Sequence, residues 1–213
     1  MSLQSVVNYG FLISFFPFLC QANAYNNCNA HRVVITQQVN LHFGSRGSVP
    51  AVTGLFYQES QCRANALNKS DGGAGLGQLT GASNIKWIGN ASGIGTIDPW
   101  NVQDNVRASV WLLKFNYDEV QGMDACEKIG AALSCYNGGC RNVLLAQQIS
   151  EYPTVWFDVT EKIRHPKAKQ SLENFNYARS YPRKVLFRHQ PKYETWGNPI
   201  CKEYGYYARP LNP

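Results

Sequence analysis

Internal repeats, low-complexity runs and nucleotide-type glycine loops are all absent from these 213 residues. The lack of a repeat removes solenoid and array architectures. The one glycine-rich stretch, Gly72 to Gly81, precedes no strand–helix unit, which removes a phosphate-loop reading. None of the four histidines, His31, His42, His165 and His189, stands at a ligand interval from a cysteine pair, so the spacings are not zinc-like. Acidic residues are scarce, 14 against 20 lysines and arginines, and the resulting formal charge of +6 favours an anionic surface as partner. No recognition-helix signature or aromatic nucleic-acid motif accompanies the late basic residues Arg164, Lys167, Lys169, Arg179, Arg183, Lys184 and Arg188, so nucleic acid is not the expected partner. The competing reading of those residues is an ordinary solvated basic face.

What is present fits one small exported domain. The length suffices for a single real core and not for two. Residues 1–24 read as a signal peptide. The apolar run Phe11-Leu12-Ile13-Ser14-Phe15-Phe16 is followed by Ala22-Asn23-Ala24, which has the small-x-small form of a cleavage site. The run is short for a membrane span, yet no lysine or arginine precedes it, which leaves a retained N-terminal anchor as the second reading and as the only expected membrane contact. Cys20 lacks the small residue expected before a lipidated cysteine. Cleavage after Ala24 leaves six cysteines, Cys28, Cys62, Cys126, Cys135, Cys140 and Cys201, an even number that permits three disulfides in an oxidising compartment, with connectivity open. Cys135 and Cys140 flank Tyr136-Asn137-Gly138-Gly139, so a bridge between them, or from each to another helix, rigidifies that turn. A cysteine nucleophile needs a free thiolate beside a histidine, and no motif pairs them here.

Periodicity predicts a mainly helical chain. Ser48 supplies a capping hydroxyl and Pro50 is tolerated in a first turn. Val52, Leu55, Phe56 and Glu59 then follow at the three-and-four spacing of one helix face. The carboxyl of Glu59 thus continues an apolar stripe. Burial there disfavours the charged form and suits a group that donates a proton near neutral pH. The alternative is a Glu59 that leans into solvent or pairs with Arg63, one turn on. Asp98 or Asn101 opens a second helix with the stripe Val102, Val106, Val110, Leu113 and Tyr117, and Cys126, Ile129, Leu133 and Tyr136 make a third that stops at Gly138-Gly139.

Several blocks share one order. Glu59-Ser60, then Gly73-Ala74-Gly75-Leu76-Gly77-Gln78-Leu79, Asn105 to Leu112, Ala132 to Gly139 and Tyr181 to Leu186 together resemble the soluble lytic transglycosylases of the lysozyme-like superfamily, over about residues 50–187. The methionine usual before the motif glutamine is Gly77 here, Ser109 stands where the late helix has a glycine, and two extra residues separate Glu59 from Gly73. A serine that the family holds near its acid aligns with Ser70 counting back from Gly73, or with Asn68 counting forward from Glu59; Ser70 is preferred because it keeps the hydroxyl.

The resemblance implies a lysozyme-like, goose-type helical domain with a cleft, catalytic over residues 49–190, preceded by an N-terminal segment, 25–48, and followed by an aromatic tail, 191–213. It implies cleavage of the β-1,4 bond between N-acetylmuramic acid and N-acetylglucosamine in peptidoglycan, with Glu59 as single acid and base, a 1,6-anhydro product and no metal or cofactor. It also implies that Ser70, Gln78, Tyr136, Asn137 and Tyr181 meet the substrate, Tyr136 turning its hydroxyl toward the acid or the scissile sugar, while Ser60 supports the site. A standard glycosidase needs two carboxylates, and only Glu59 stands out. Two other readings stay open: a goose-type hydrolase in which Asp71 or Asp98 positions a water, and a peptidoglycan-binding protein without turnover. The late aromatics Tyr193, Trp196, Tyr204, Tyr206 and Tyr207 either stack on sugars or pack onto the domain. Action in the periplasm or cell envelope is expected, with wall turnover, secretion or conjugation systems and phage entry as possible settings.

Overall fold

The computed structural model describes residues 27–203. The expected signal peptide, Cys20 and the tail residues Tyr204, Tyr206 and Tyr207 lie outside the described residues. Seven α-helices of ten residues or more make up the described chain: α1 (Arg32–Phe43), α2 (Val49–Ser60), α3 (Ala82–Ser92), α4 (Val102–Glu119), α5 (Ala125–Gly138), α6 (Cys140–Ile149) and α7 (Leu172–Arg183). After α7 the chain continues as a π-helical segment, Lys184–His189, and a 3₁₀ segment, Gln190–Trp196. No strand forms among the described residues; only isolated bridges join Leu67 to Ala74 and Ala74 to Leu79.

Helix α2 runs through the centre. Ser48 caps it by accepting the Ala51 N–H at 3.2 Å, and Pro50 sits in the first turn, where its missing N–H leaves no bond unmade. Every residue from Val49 to Phe56 is buried, because α1 and the segments 184–196 pack around the helix. Gly54 permits this closeness: a Cβ there would lie 2.9 Å from the Val185 carbonyl oxygen. Thr53, the polar residue in this apolar stretch, returns its hydroxyl to the Val49 carbonyl at 2.8 Å.

The other expected helices form with defined caps. Asn101, rather than Asp98, opens α4 by accepting the N–H groups of Gln103 and Asp104. Asp98 instead accepts from Trp100 in the preceding turn. Asp124 caps α5 through the Glu127 N–H, and α5 then buries Cys126, Ile129 and Leu133 against α4 and α7.

Two buried carboxylates are structural. Glu127 accepts the N–H groups of Trp156 and Phe157 at 2.7 and 2.8 Å and so fixes the loop after α6. Glu161 is fully buried and receives the Arg183 guanidinium, which also reaches Asp158 at 3.1 Å. Arg183 is therefore spent inside the fold and does not belong to an anion-binding face.

All six described cysteines are bridged: Cys28–Cys62, Cys126–Cys201 and Cys135–Cys140. The third closes the turn after α5, one of the two arrangements the spacing allowed. The second ties residue 201 to α5, while Tyr193 and Trp196 are buried in the core, where the Tyr193 hydroxyl donates to Cys28 Sγ of the first bridge at 3.1 Å. The described part of the aromatic tail thus packs onto the domain.

Candidate active site

Glu59 stands on the last turn of α2, the face of which carries Val52, Leu55 and Phe56 into the core. The helix ends at once: Gln61 takes a left-handed conformation, φ 55°, and its N–H returns to the Phe56 and Tyr57 carbonyls. Ser60 donates its hydroxyl to the Phe56 carbonyl at 3.2 Å, and Arg63 donates to the Ser60 carbonyl at 3.0 Å. Arg63 is thus engaged with the helix end, and no ion pair joins it to Glu59 among the described residues.

What Glu59 meets is a phenol. Tyr181, on α7 and 1% exposed, donates its hydroxyl to Glu59 Oε1. Burial raises the Glu59 carboxyl to about 7, the Tyr181 hydrogen bond opposes that rise, and the charge of Asp71 adds to it. Desolvation dominates, so the group stays half protonated near neutrality. The same arrangement pushes the Tyr181 phenol well above its usual range, burial first and the Glu59 charge second. Tyr181 therefore remains a donor to the carboxyl.

The glycine-rich loop closes one wall. Tyr136, at the end of α5, donates to the Gly77 carbonyl at 2.7 Å, and the Glu59 charge raises its phenol further after burial. Its hydroxyl is near the acid but committed to the loop. Gln78 has φ 51°, and its side-chain amide donates to the Gly75 and Ala66 carbonyls at 2.8 and 3.2 Å, which holds the loop folded on itself. Gly75 has φ +73°, and a Cβ there would lie 2.1 Å from the Pro99 oxygen, so glycine is required. Ser70 and Asn68 are both exposed, and the Ser70 hydroxyl donates to the Asn68 side-chain oxygen at 2.7 Å. The two candidates for one role thus share a single spot.

Beside the acid lies a polar groove of about 460 Å³, lined by Asp71, Asn137, Asn142, Lys169, Asn174 and Tyr177 among others. It adjoins the site through three neighbours: Asp71 acts on Glu59, Asn137 follows Tyr136, and Tyr177 stands one helical turn before Tyr181 on the same face of α7. Amides, the opposite charges of Asp71 and Lys169 and a 46% exposed tyrosine ring suit a substrate rich in hydroxyls and amides.

Two site residues carried no role in the sequence reading. Asn105, fully buried on α4, accepts the Gly77 N–H at 2.7 Å and donates to the Ala74 and Pro99 carbonyls. Ser109, one turn on and 1% exposed, lies against Gly77. The signal for both was polarity inside a helical stripe of valines. With all six described cysteines oxidised, no thiol nucleophile remains among the described residues.

A helical domain with one desolvated carboxyl at the end of its central helix, a tyrosine on that carboxyl and a polar groove alongside is of the lysozyme-like class. The family model of the Transglycosylase SLT domain matches residues 45–153 of the 213, and the chain belongs to that family. Membership assigns it transglycosylase-type action on peptidoglycan at the level of the family. No curated protein matches the chain.

Proposed function

We propose that this chain is a peptidoglycan lytic transglycosylase that cleaves the β-1,4 bond between N-acetylmuramic acid and N-acetylglucosamine with Glu59 as its single acid and base. The observation that carries this reading is a carboxyl raised to about 7, partly buried and hydrogen-bonded by a buried phenol. A general acid works best when its pKa is near the working pH.

Tyr181 engages Oε1, which leaves Oε2 of the protonated acid to face the strand. Oε2–H protonates the glycosidic oxygen and the bond to the muramyl anomeric carbon breaks. The muramyl N-acetyl oxygen bonds to that carbon and takes up its positive charge. Glu59, now a carboxylate, then removes the proton of the muramyl 6-hydroxyl as that oxygen displaces the acetyl oxygen. The product ends in a 1,6-anhydro ring, the acid is again protonated, and no water is consumed. In this reading Tyr136, Asn105 and Gln78 hold the loop that bounds the site, while Asn137 and Ser70 are the residues assigned to meet the strand.

Asp71 favours a second reading, since it acts on Glu59 from the groove and offers a carboxylate to position a water. Mass spectrometry of products from purified peptidoglycan decides between them. Anhydro ends, lighter by one water, support the transglycosylase; reducing ends support the hydrolase. Action outside the cytoplasm is proposed with it, on the support of the apolar N-terminal run and three disulfides.

A further inference from the structure

Gly77 and Ser109 are 32 positions apart in the chain and meet at the wall of the site. A Cβ built on Gly77 would lie 2.0 Å from Ser109 Oγ and 2.8 Å from its Cβ, far inside contact distance. The same Cβ would lie 2.8 Å from the Tyr136 hydroxyl oxygen. Ser109 thus fills the volume that a side chain at 77 would enter. Both are positions at which the sequence departs from the motif pattern that it resembles.

The contacts around this point form a closed polar set. Asn105 Oδ1 accepts the Gly77 N–H at 2.7 Å, Tyr136 donates to the Gly77 carbonyl at 2.7 Å, and Ser109 Oγ lies 3.5 Å from Asn105 Oδ1. The Ser109 hydroxyl also acts on the Tyr136 phenol, whose pKa it lowers against the larger effects of burial and the Glu59 charge. Both polar groups of the Gly77 peptide unit are tied to helices α4 and α5, with one hydroxyl in contact with the groups that tie them. In a buried set of this kind, removing one member leaves its partners unsatisfied and free to shift.

We propose that Ser109 is a positioning residue, matched in volume to Gly77, that sets the Tyr136 hydroxyl and the Gly75–Gln78 loop against the acid. It touches no substrate itself. Its effect therefore falls on turnover more than on binding. The proposal rests on the transglycosylase reading for its kinetic part and on packing alone for the pairing.

The test uses four forms of the protein: Ser109→Ala, Gly77→Ala, the double variant Gly77→Ala with Ser109→Gly, and the parent. Release of product from purified peptidoglycan gives kcat and KM, and thermal melting follows the fold. Ser109→Ala keeps the shape and is expected to lose about tenfold in kcat, with KM within about twofold of the parent. Gly77→Ala is expected to lose at least about a hundredfold in kcat/KM and to melt lower, because a displacement of about 1 Å in a site costs that much. The double variant is expected to recover the melting temperature and at least about tenfold of the lost rate, short of the parent because the new Cβ still presses the Tyr136 hydroxyl.

A Ser109→Ala protein with the parent's kcat overturns the positioning role. A double variant that melts no higher than Gly77→Ala overturns the pairing. A parent that releases no product strikes the proposed activity instead, and the melting temperatures then decide the pairing alone.

Discussion

Glu59→Gln separates what the acid does chemically from what it costs the fold. Glutamine has the same shape and still accepts the Tyr181 hydroxyl through Oε1, so the packing is retained, but it neither donates an acid proton nor ionises. Turnover is expected to fall by about 10²–10⁴. Stability moves the other way. The carboxyl titrates at 4.5 in the unfolded chain and at about 7 in the fold. That difference corresponds to about 3 kcal/mol. Because the folded value is the higher one, the stabilisation is complete below the unfolded value and is lost as pH rises through the folded one. The parent therefore loses about 3 kcal/mol between about pH 4 and pH 8 from this group alone, and the glutamine variant does not. Melting curves of the two proteins should nearly coincide at about pH 4 and separate at about pH 8, the variant melting higher by about 6–12 °C for a chain of this size. A separation that is the same at both pH values, or a variant that melts lower at pH 8, refutes a desolvated Glu59. Retained turnover refutes its role as the acid.

Tyr181→Phe removes the contribution that lowers the Glu59 pKa, so the high-pH limb of the kcat profile should move upward, with kcat down by about tenfold; an unmoved limb shows that the phenol does not govern the acid. Asp71→Asn removes a charge that raises the Glu59 pKa, and the same limb should move downward while anhydro product persists; abolished turnover favours the hydrolase. Replacing Cys126 and Cys201 by serine opens a loop closed across 75 residues, worth about 4 kcal/mol of stability in the loop-entropy estimate; urea titration reads this as a lower midpoint, and an unchanged midpoint refutes it.

Much of the helical framework was legible because local rules and tertiary packing agreed. Ser48, Pro50 and the stripe from Val52 to Glu59 specify α2 by capping and period, and burial of the stripe completes what they begin. The limits of α5 at Gly138 follow likewise from glycine chemistry. Legibility failed where a residue's partner is remote in the chain. The hydrogen bond of Tyr181 to Glu59 spans 122 positions, and no local pattern announces it. The two loop carbonyls that the Gln78 amide satisfies were likewise not legible, because they depend on the turn that folds the loop back on itself. Arg183, read within a basic run, is drawn inside by the buried Glu161.

By itself the sequence made Glu59 the candidate acid, because the residue continues an apolar helical stripe and also heads the ordered blocks that resemble the lytic transglycosylases. It also determined the helical class, the glycine-rich loop and the even number of cysteines. The tertiary structure alone decided how far burial raises that carboxyl, which phenol meets it, which cysteines pair and why Gly77 accepts no side chain. The reason is physical: helix period and capping act within a few residues, whereas desolvation, hydrogen-bond partnership and excluded volume depend on what other segments bring to the same place.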